Sequence, residues 1–316
     1  MKRDIDGPNN ILHWMGNTPV HELHPGALLP RGAARVFVKL EEFNPGESIK
    51  ARIALEMVLD AERQGRLSPG SQQTLIEPTG GNTGVGLTLV AAQRGYRTLL
   101  VVPDNYVSPT RLRLLKIRGA QICVSDHTKG NDSHVQMVRE LLEANPDYVW
   151  LDQFSNPANP RVHYEQTGPE LLRAVPRIDY FVAGIGSGGT ITGVGRRLLD
   201  SSPDTRIIGV QPDGCDTLRG LAIPHRIQGL AVGMLPRVFD RSLVREMRSV
   251  TYEAAIEMVH ALAKHEAMFV GISSGANIAA AIDVAKHIGS DATVATIAPD
   301  SGKNYPDVFL SDQPQS

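Results

Sequence analysis

Lys50 closes the stretch Asn44-Pro45-Gly46-Glu47-Ser48-Ile49-Lys50, which follows the apolar run Val36-Phe37-Val38-Lys39-Leu40. This order predicts a strand, a tight Pro-Gly turn and a helix over 48–64. Ser48 would cap the helix, Ile49, Ile53 and Met57 would form one apolar face, and Gly65 would end it. A lysine in a first helical turn meets the positive end of the helix macrodipole, and burial would disfavour its ammonium form further. Such an amine can attack a carbonyl and form a Schiff base. The ordinary alternative is a solvated surface lysine, because lysine is rarely buried.

Three turns rich in glycine and hydroxyls also join a predicted strand end to a predicted helix start, where backbone N–H groups suit an anion. In Gly184-Ile185-Gly186-Ser187-Gly188-Gly189-Thr190, backbone amides and the Ser187 and Thr190 hydroxyls can hold a phosphate. Its GxGxxG spacing also admits a dinucleotide reading. That fingerprint wants an acidic residue at the end of the next strand, where Gln211 stands, with Asp213 two residues late. Thr79-Gly80-Gly81-Asn82-Thr83-Gly84 offers hydroxyls and an amide at a helix start, which suits a substrate carboxylate, although glycine and asparagine also simply make turns. Gly271-Ile272-Ser273-Ser274-Gly275 satisfies the GxSxG pattern of hydrolases. The acid and histidine available downstream, Asp283 and His287, lie on the same predicted helix and cannot fold back to its start. A serine there can instead hydrogen-bond a heteroaromatic nitrogen.

The elements that must carry these turns alternate. Strands are predicted at 36–40, 74–77, 98–102, 121–124 and 148–151. After a restart near Asn156 they continue at 178–183, 206–210, 269–272 and 293–297. Helices fall between them: 84–94, one opened by Ser108-Pro109, 132–144, 161–174, 189–200, and two more after Thr251 and Ser274. Residues 212–240 read as irregular. Continuous apolar strands alternating with helices predict an α/β protein. Its two open, twisted, mostly parallel sheets would carry helices on both faces, with the active-site cleft between the two domains.

Composition narrows the partners. A chain of 316 residues has room for about two domains, and 41% hydrophobic with 21% charged residues is an ordinary globular balance. A formal net charge of −2 without a long basic or acidic block argues against nucleic acid or an anionic membrane as a partner. No apolar run approaches the roughly 18 residues that span a bilayer, and Met1-Lys2-Arg3-Asp4-Ile5-Asp6 lacks the apolar stretch of a signal peptide. Cys123 and Cys215 stand far apart, which fits a reducing cytoplasm. The ten histidines form no HExxH, and no metal site is expected.

A Schiff-base lysine, a phosphate cradle, a carboxylate loop and a serine at a helix start together suit pyridoxal 5′-phosphate (PLP). At these residues the chain resembles the cysteine synthase and cystathionine β-synthase family, the fold-type II PLP enzymes. The resemblance runs from Gly16-Asn17-Thr18-Pro19 to Asp300-Ser301-Gly302-Lys303-Asn304-Tyr305. It implies that Lys50 carries the internal aldimine and acts as general base. It implies that Thr79-Gly80-Gly81-Asn82-Thr83 and Gln153 receive the substrate carboxylate, with Asn82 also contacting the cofactor. Gly186-Ser187-Gly188-Gly189-Thr190 would bind the cofactor phosphate, and Ser273 would face its ring nitrogen. The resemblance further implies a smaller domain at 38–156, a larger one at 11–37 plus 157–316, and a homodimer.

The implied reaction is β-replacement on an activated L-serine of the O-acetylserine type through an aminoacrylate, with sulfide giving L-cysteine. Three departures bear on the substrate pair. Gly80 stands where the family commonly has serine, Ala51 where it has aspartate, and Glu47 where it has glycine. They keep open a cystathionine β-synthase-like use of serine and homocysteine, or an amine nucleophile giving a diaminopropionate-type amino acid.

Overall fold

The computed structural model describes residues 5, 7, 9–105, 108–130 and 132–310, so most of the N-terminal stretch 1–6 lies outside them. In chain order the elements begin with β1 (Val20–Glu22), β2 (Arg35–Leu40), α1 (Lys50–Arg63), β3 (Thr74–Glu77), α2 (Asn82–Arg94), β4 (Arg97–Pro103) and α3 (Pro109–Ile117). Then come β5 (Gln121–Ser125), α4 (Ser133–Ala144), β6 (Tyr148–Trp150), α5 (Ala158–Val162) and α6 (Gly168–Ala174). The rest are β7 (Tyr180–Gly184), α7 (Gly189–Ser201), β8 (Arg206–Pro212), β9 (Val244–Val250), α8 (Tyr252–His265), α9 (Ile272–His287), β10 (Thr293–Ala298) and α10 (Pro306–Phe309).

The chain divides into two units. The first comprises Asn44–Ala158 with the segments through Met15 and from Pro306; the second comprises Gly16–Phe43 and Asn159–Tyr305. The boundary expected between residues 37 and 38 therefore moves. It falls inside β2, and β2 pairs with β10 from Arg35 through Leu40, so the whole strand belongs to the second unit. Residues 11–15 and the chain from Pro306 belong to the first.

The first unit holds a parallel four-stranded sheet in the order β5-β4-β3-β6. All four residues of β3 are buried, as a central parallel strand requires. Helix α1 is buried on more than the single apolar face predicted: Ala51 through Leu59 are all buried, including Arg52 and Glu56. Ser108 caps α3 as expected, its hydroxyl accepting from the Arg111 N–H at 3.2 Å, with Pro109 at the first helical position.

The second unit holds a six-stranded sheet in the order β1-β2-β10-β7-β8-β9. Only the β1–β2 pair is antiparallel. Central β10 is buried at all six positions, whereas edge strand β9, which carries Arg245, Glu246 and Arg248, is mostly exposed or half-buried. The strand expected at 269–272 does not form. Val270 makes one isolated bridge to Ser301, and α9 begins at Ile272. The helix expected over 161–174 is broken into α5, a π-turn at His163–Thr167, and α6.

Candidate active site

The residues singled out from the sequence fall into two groups, one in each unit. In the first unit, Lys50 is the first residue of α1 and is half-buried. Ser48 does not cap α1. The cap position is Ile49, already helical at φ −56° and ψ −23°, and the buried Ser48 hydroxyl has no hydrogen-bond partner among the described residues. The turn before it passes through the left-handed region at Gly46 (φ 84°) and again at Glu47 (φ 56°), where a side chain is normally disfavoured.

What holds Lys50 in place is α2. A Cβ on Gly86 would lie 2.9 Å from the Lys50 carbonyl oxygen and 3.0 Å from the Ala54 Cβ, so the two helices meet where one has no side chain. One turn earlier, α2 opens at Asn82 behind Gly81. It has no side-chain cap and no acidic residue in its first turn. Its positive dipole end thus suits an anion. The Thr79 hydroxyl accepts from the Gly81 N–H at 3.2 Å, which shapes the loop.

Side chains around that opening are tied to one another. The Thr83 hydroxyl donates to Gln153 Oε1 at 2.7 Å, bringing together two residues seventy positions apart. Arg111, from α3, donates to Asn82 Oδ1 at 2.7 Å and to the Gly80 carbonyl at 3.4 Å. Beneath them the fully buried Glu77 carboxyl accepts from the Gln153 N–H at 3.1 Å and the Asp152 N–H at 3.2 Å. Burial pushes the Glu77 carboxyl up to about 8, with the Gln153 N–H pulling the other way. Glu77 and Arg111 were not singled out from the sequence. A glutamate two residues before a glycine loop was the available signal for the first; for Arg111 there was none.

In the second unit the turn from β7 leads into α7, which starts at Gly189 behind Gly188 in the left-handed conformation (φ 79°). Like α2, α7 has neither a side-chain cap nor an acidic first turn. A Cβ on Gly186 would collide with the Gly229 carbonyl, so the turn passes directly against the 226–231 segment. Asn159 donates to the buried Ser187 hydroxyl at 3.0 Å, and the Thr190 hydroxyl lies 3.3 Å from His163 Nε2. The π-turn supplies this histidine, whose other ring nitrogen lies 3.0 Å from the Thr167 hydroxyl. Asn159 and His163 also escaped the sequence reading.

Ser273 is buried as the second residue of α9, whose first turn is likewise uncapped and free of acids. The neighbouring Ser274 is turned into the protein against Asp300. His287 is engaged with the Asp283 carbonyl at 2.7 Å, about 21 Å down the helix from Ser273, so the hydrolase arrangement does not form. Gln211, which stands where the dinucleotide fingerprint needs an acid, accepts from the Thr217 N–H at 3.0 Å.

Comparison with known proteins identifies the family. The family model described as pyridoxal-phosphate dependent enzyme matches residues 11–300. A cysteine synthase of Staphylococcus aureus is 41% identical over 300 residues, covering 94% of this chain and 95% of that protein. An O-ureido-L-serine synthase of Streptomyces lavendulae is 40% identical over 309 residues, covering 96% and 93%. A crystal structure of O-ureido-L-serine synthase superposes with a TM-score of 0.89 at 38% identity, covering 98% of this chain and 97% of that one. The chain therefore belongs to the pyridoxal-phosphate dependent enzyme family, with the fold-type II architecture and the cysteine synthases among its relatives. The residues fit the cofactor. Lys50 supplies an amine at a helix start, α7 an open N-terminus with two hydroxyls, and Ser48 a buried hydroxyl still to be satisfied.

Proposed function

We propose that this PLP-dependent enzyme replaces the β-substituent of an activated L-serine, with O-acetyl-L-serine as donor and sulfide as nucleophile, giving L-cysteine. The observation that carries the proposal is the Gly86 contact. It fixes Lys50 against the helix whose open end presents Asn82 and Thr83. An α-amino acid substrate needs that pairing, with an amine-exchanging group beside its α-carbon and an anion site for its carboxylate. In this reading the loop Thr79-Gly80-Gly81-Asn82-Thr83 and Gln153 receive the carboxylate. Asn82 also contacts the cofactor, and Gly186-Ser187-Gly188-Gly189-Thr190 hold its phosphate.

When bound, PLP supplies the electron sink that acidifies the α-carbon and lets the β-substituent leave. Lys50 takes the α-proton as general base and returns it after the nucleophile has added. Across the reaction the Cβ–O bond breaks, the Cβ–S bond forms, and acetate departs. Ser273 is proposed as the neutral hydrogen-bond partner of the ring nitrogen. A serine there does not hold the ring as a cation, so elimination competes well with other fates of the substrate. The same reading carries a homodimer and a cytoplasmic setting, as the resemblance to cysteine synthases implies.

A second nucleophile class is favoured by two observations. O-ureido-L-serine synthase is as similar as cysteine synthase, and Gly80 removes a hydroxyl from the carboxylate loop. The test is a product assay on purified enzyme with O-acetyl-L-serine and sulfide, homocysteine, hydroxyurea and a primary amine in competition. Cysteine as the dominant product supports the sulfide reading. Dominance of any other product replaces it, and no product with any of them removes O-acetyl-L-serine as donor.

A further inference from the structure

Within the second unit, two histidine rings and a carboxylate converge on the flank of the six-stranded sheet. His21 lies in edge strand β1, His24 lies just beyond it, and Glu266 is the residue that ends α8. His21 Nε2 and His24 Nδ1 each lie 2.8 Å from the same atom, Glu266 Oε2. The other oxygen, Oε1, accepts from the His24 N–H at 3.1 Å, which fixes the carboxylate and leaves Oε2 facing both rings. The Glu266 side chain is only 3% exposed, His21 is 27% exposed, and His24 is 76% exposed. The donor atoms all lie within 4.8 Å of one another.

We propose that His21, His24 and Glu266 form a binding site for one zinc ion. Two imidazole nitrogens and a carboxylate oxygen are a donor set that zinc accepts, with a fourth position left for water. Zinc bonds of about 2.0–2.2 Å in a tetrahedron place donor atoms about 3.3 Å apart. The present nitrogen–oxygen separations of 2.8 Å therefore open slightly on binding. The freedom for this lies in His24, whose ring is mostly in solvent, while Glu266 stays anchored by the backbone. In the bound site His21 Nε2 and His24 Nδ1 would face the ion as acceptors, with the ring protons on His21 Nδ1 and His24 Nε2.

The carboxylate is already oriented for a cation: it is almost fully buried, with one oxygen held by the His24 N–H and the other facing both rings. The other histidine–carboxylate cluster, Asp104 with Asp126 and His127, differs. All three residues are exposed, and Asp126 is spent on Thr128 within its own turn. The ion would tie edge strand β1 to the end of α8 as a structural staple.

The test uses tag-free protein, freed of metal by chelator and dialysed, titrated with zinc chloride in a calorimeter. The expected result is one equivalent bound per chain, with affinity lowered at least about tenfold in His24→Ala. Glu266→Gln serves as a second variant, and Asp126→Asn as a control that leaves binding unchanged. Cobalt(II) should give the visible bands of a four-coordinate nitrogen–oxygen site in wild type and not in His24→Ala. Saturating zinc should raise the melting midpoint of wild type alone. Binding of equal affinity in His24→Ala, loss of binding in Asp126→Asn, or no stoichiometric binding in wild type would overturn the proposal.

Discussion

In the first unit the groups gathered around the start of α2 are side chains: Lys50, Asn82 held by Arg111, and Thr83 held by Gln153, all above the buried Glu77. In the second unit the groups gathered at the start of α7 are mainly backbone N–H, set by Gly186 and Gly188, with only the Ser187 and Thr190 hydroxyls added. Both helices open behind a glycine without a side-chain cap, whereas α3 and α8 are capped by Ser108 and Thr251. Open ends also occur elsewhere, as at α4, so what marks α2 and α7 is an open end behind a glycine-rich turn. Under the proposed function, the contrast between the two groups gives them different work. A backbone cradle suits an invariant phosphate, while side chains can discriminate substrates and move protons. Substitutions in the first unit should change turnover, and those in the second should change cofactor retention.

The largest effect is expected at Lys50. Lys50→Ala should lower kcat by at least about 10³-fold, as loss of a general base does, while PLP content after reconstitution stays measurable through the second-unit cradle. Single-turnover assays and cofactor absorbance separate the two. Next comes Gly86→Ala, whose Cβ meets backbone rather than a flexible side chain; it should cost about 1–3 kcal/mol in denaturant unfolding and lower kcat by shifting Lys50.

Glu77→Gln should destabilise by about 1–3 kcal/mol at pH 6, because an amide nitrogen, unlike the hydroxyl oxygen of a neutral carboxyl, cannot accept from one of the two N–H groups that meet it. It should also flatten a pH dependence. With a folded-state pKa of about 8 against an ordinary 4.5, the folded protein keeps a proton that the unfolded chain gives up. That contribution is full below about pH 4.5 and is lost as pH rises through about 8, so wild type should lose more melting temperature between pH 6 and pH 9 than Glu77→Gln.

A matched pair sharpens the comparison directly. Thr83→Val removes the bond to Gln153 and should raise KM for the amino-acid donor about tenfold, with PLP affinity unchanged. Thr190→Val should weaken PLP about tenfold, with KM unchanged at saturating cofactor. The smallest effect is expected from Glu47→Gly. It relieves a left-handed side-chain residue but adds chain entropy to the unfolded state, for a net gain under about 1 kcal/mol in unfolding experiments.

Much of the scaffold was legible because apolar runs and glycine turns are local signals. The buried strands, the Ser108 cap and the turns before α2 and α7 all stand where the residue pattern places them. Edge strand β9 was missed because its side chains meet solvent and carry charge, so it lacks the apolar run of β10. The 269–272 strand was wrongly expected from three apolar residues whose backbone turns straight into α9. Ser48 looked like a cap because serine usually is one, but the left-handed Glu47 turn delivers the chain to α1 already helical at Ile49. The Thr83–Gln153, Glu77–Gln153 and His21–His24–Glu266 associations span long stretches of chain and leave no periodic trace. His21 and His24 were in view three residues apart, but their third partner lies 242 residues beyond His24.

The central claim is that Lys50 holds the cofactor and yields it to an activated serine. Borohydride reduction of the purified enzyme followed by peptide mass mapping tests this directly. The account predicts a phosphopyridoxyl label on the peptide containing Lys50, and a loss of that label when O-acetyl-L-serine is added before reduction. A label on another lysine, or one on Lys50 that O-acetyl-L-serine leaves untouched, would contradict it.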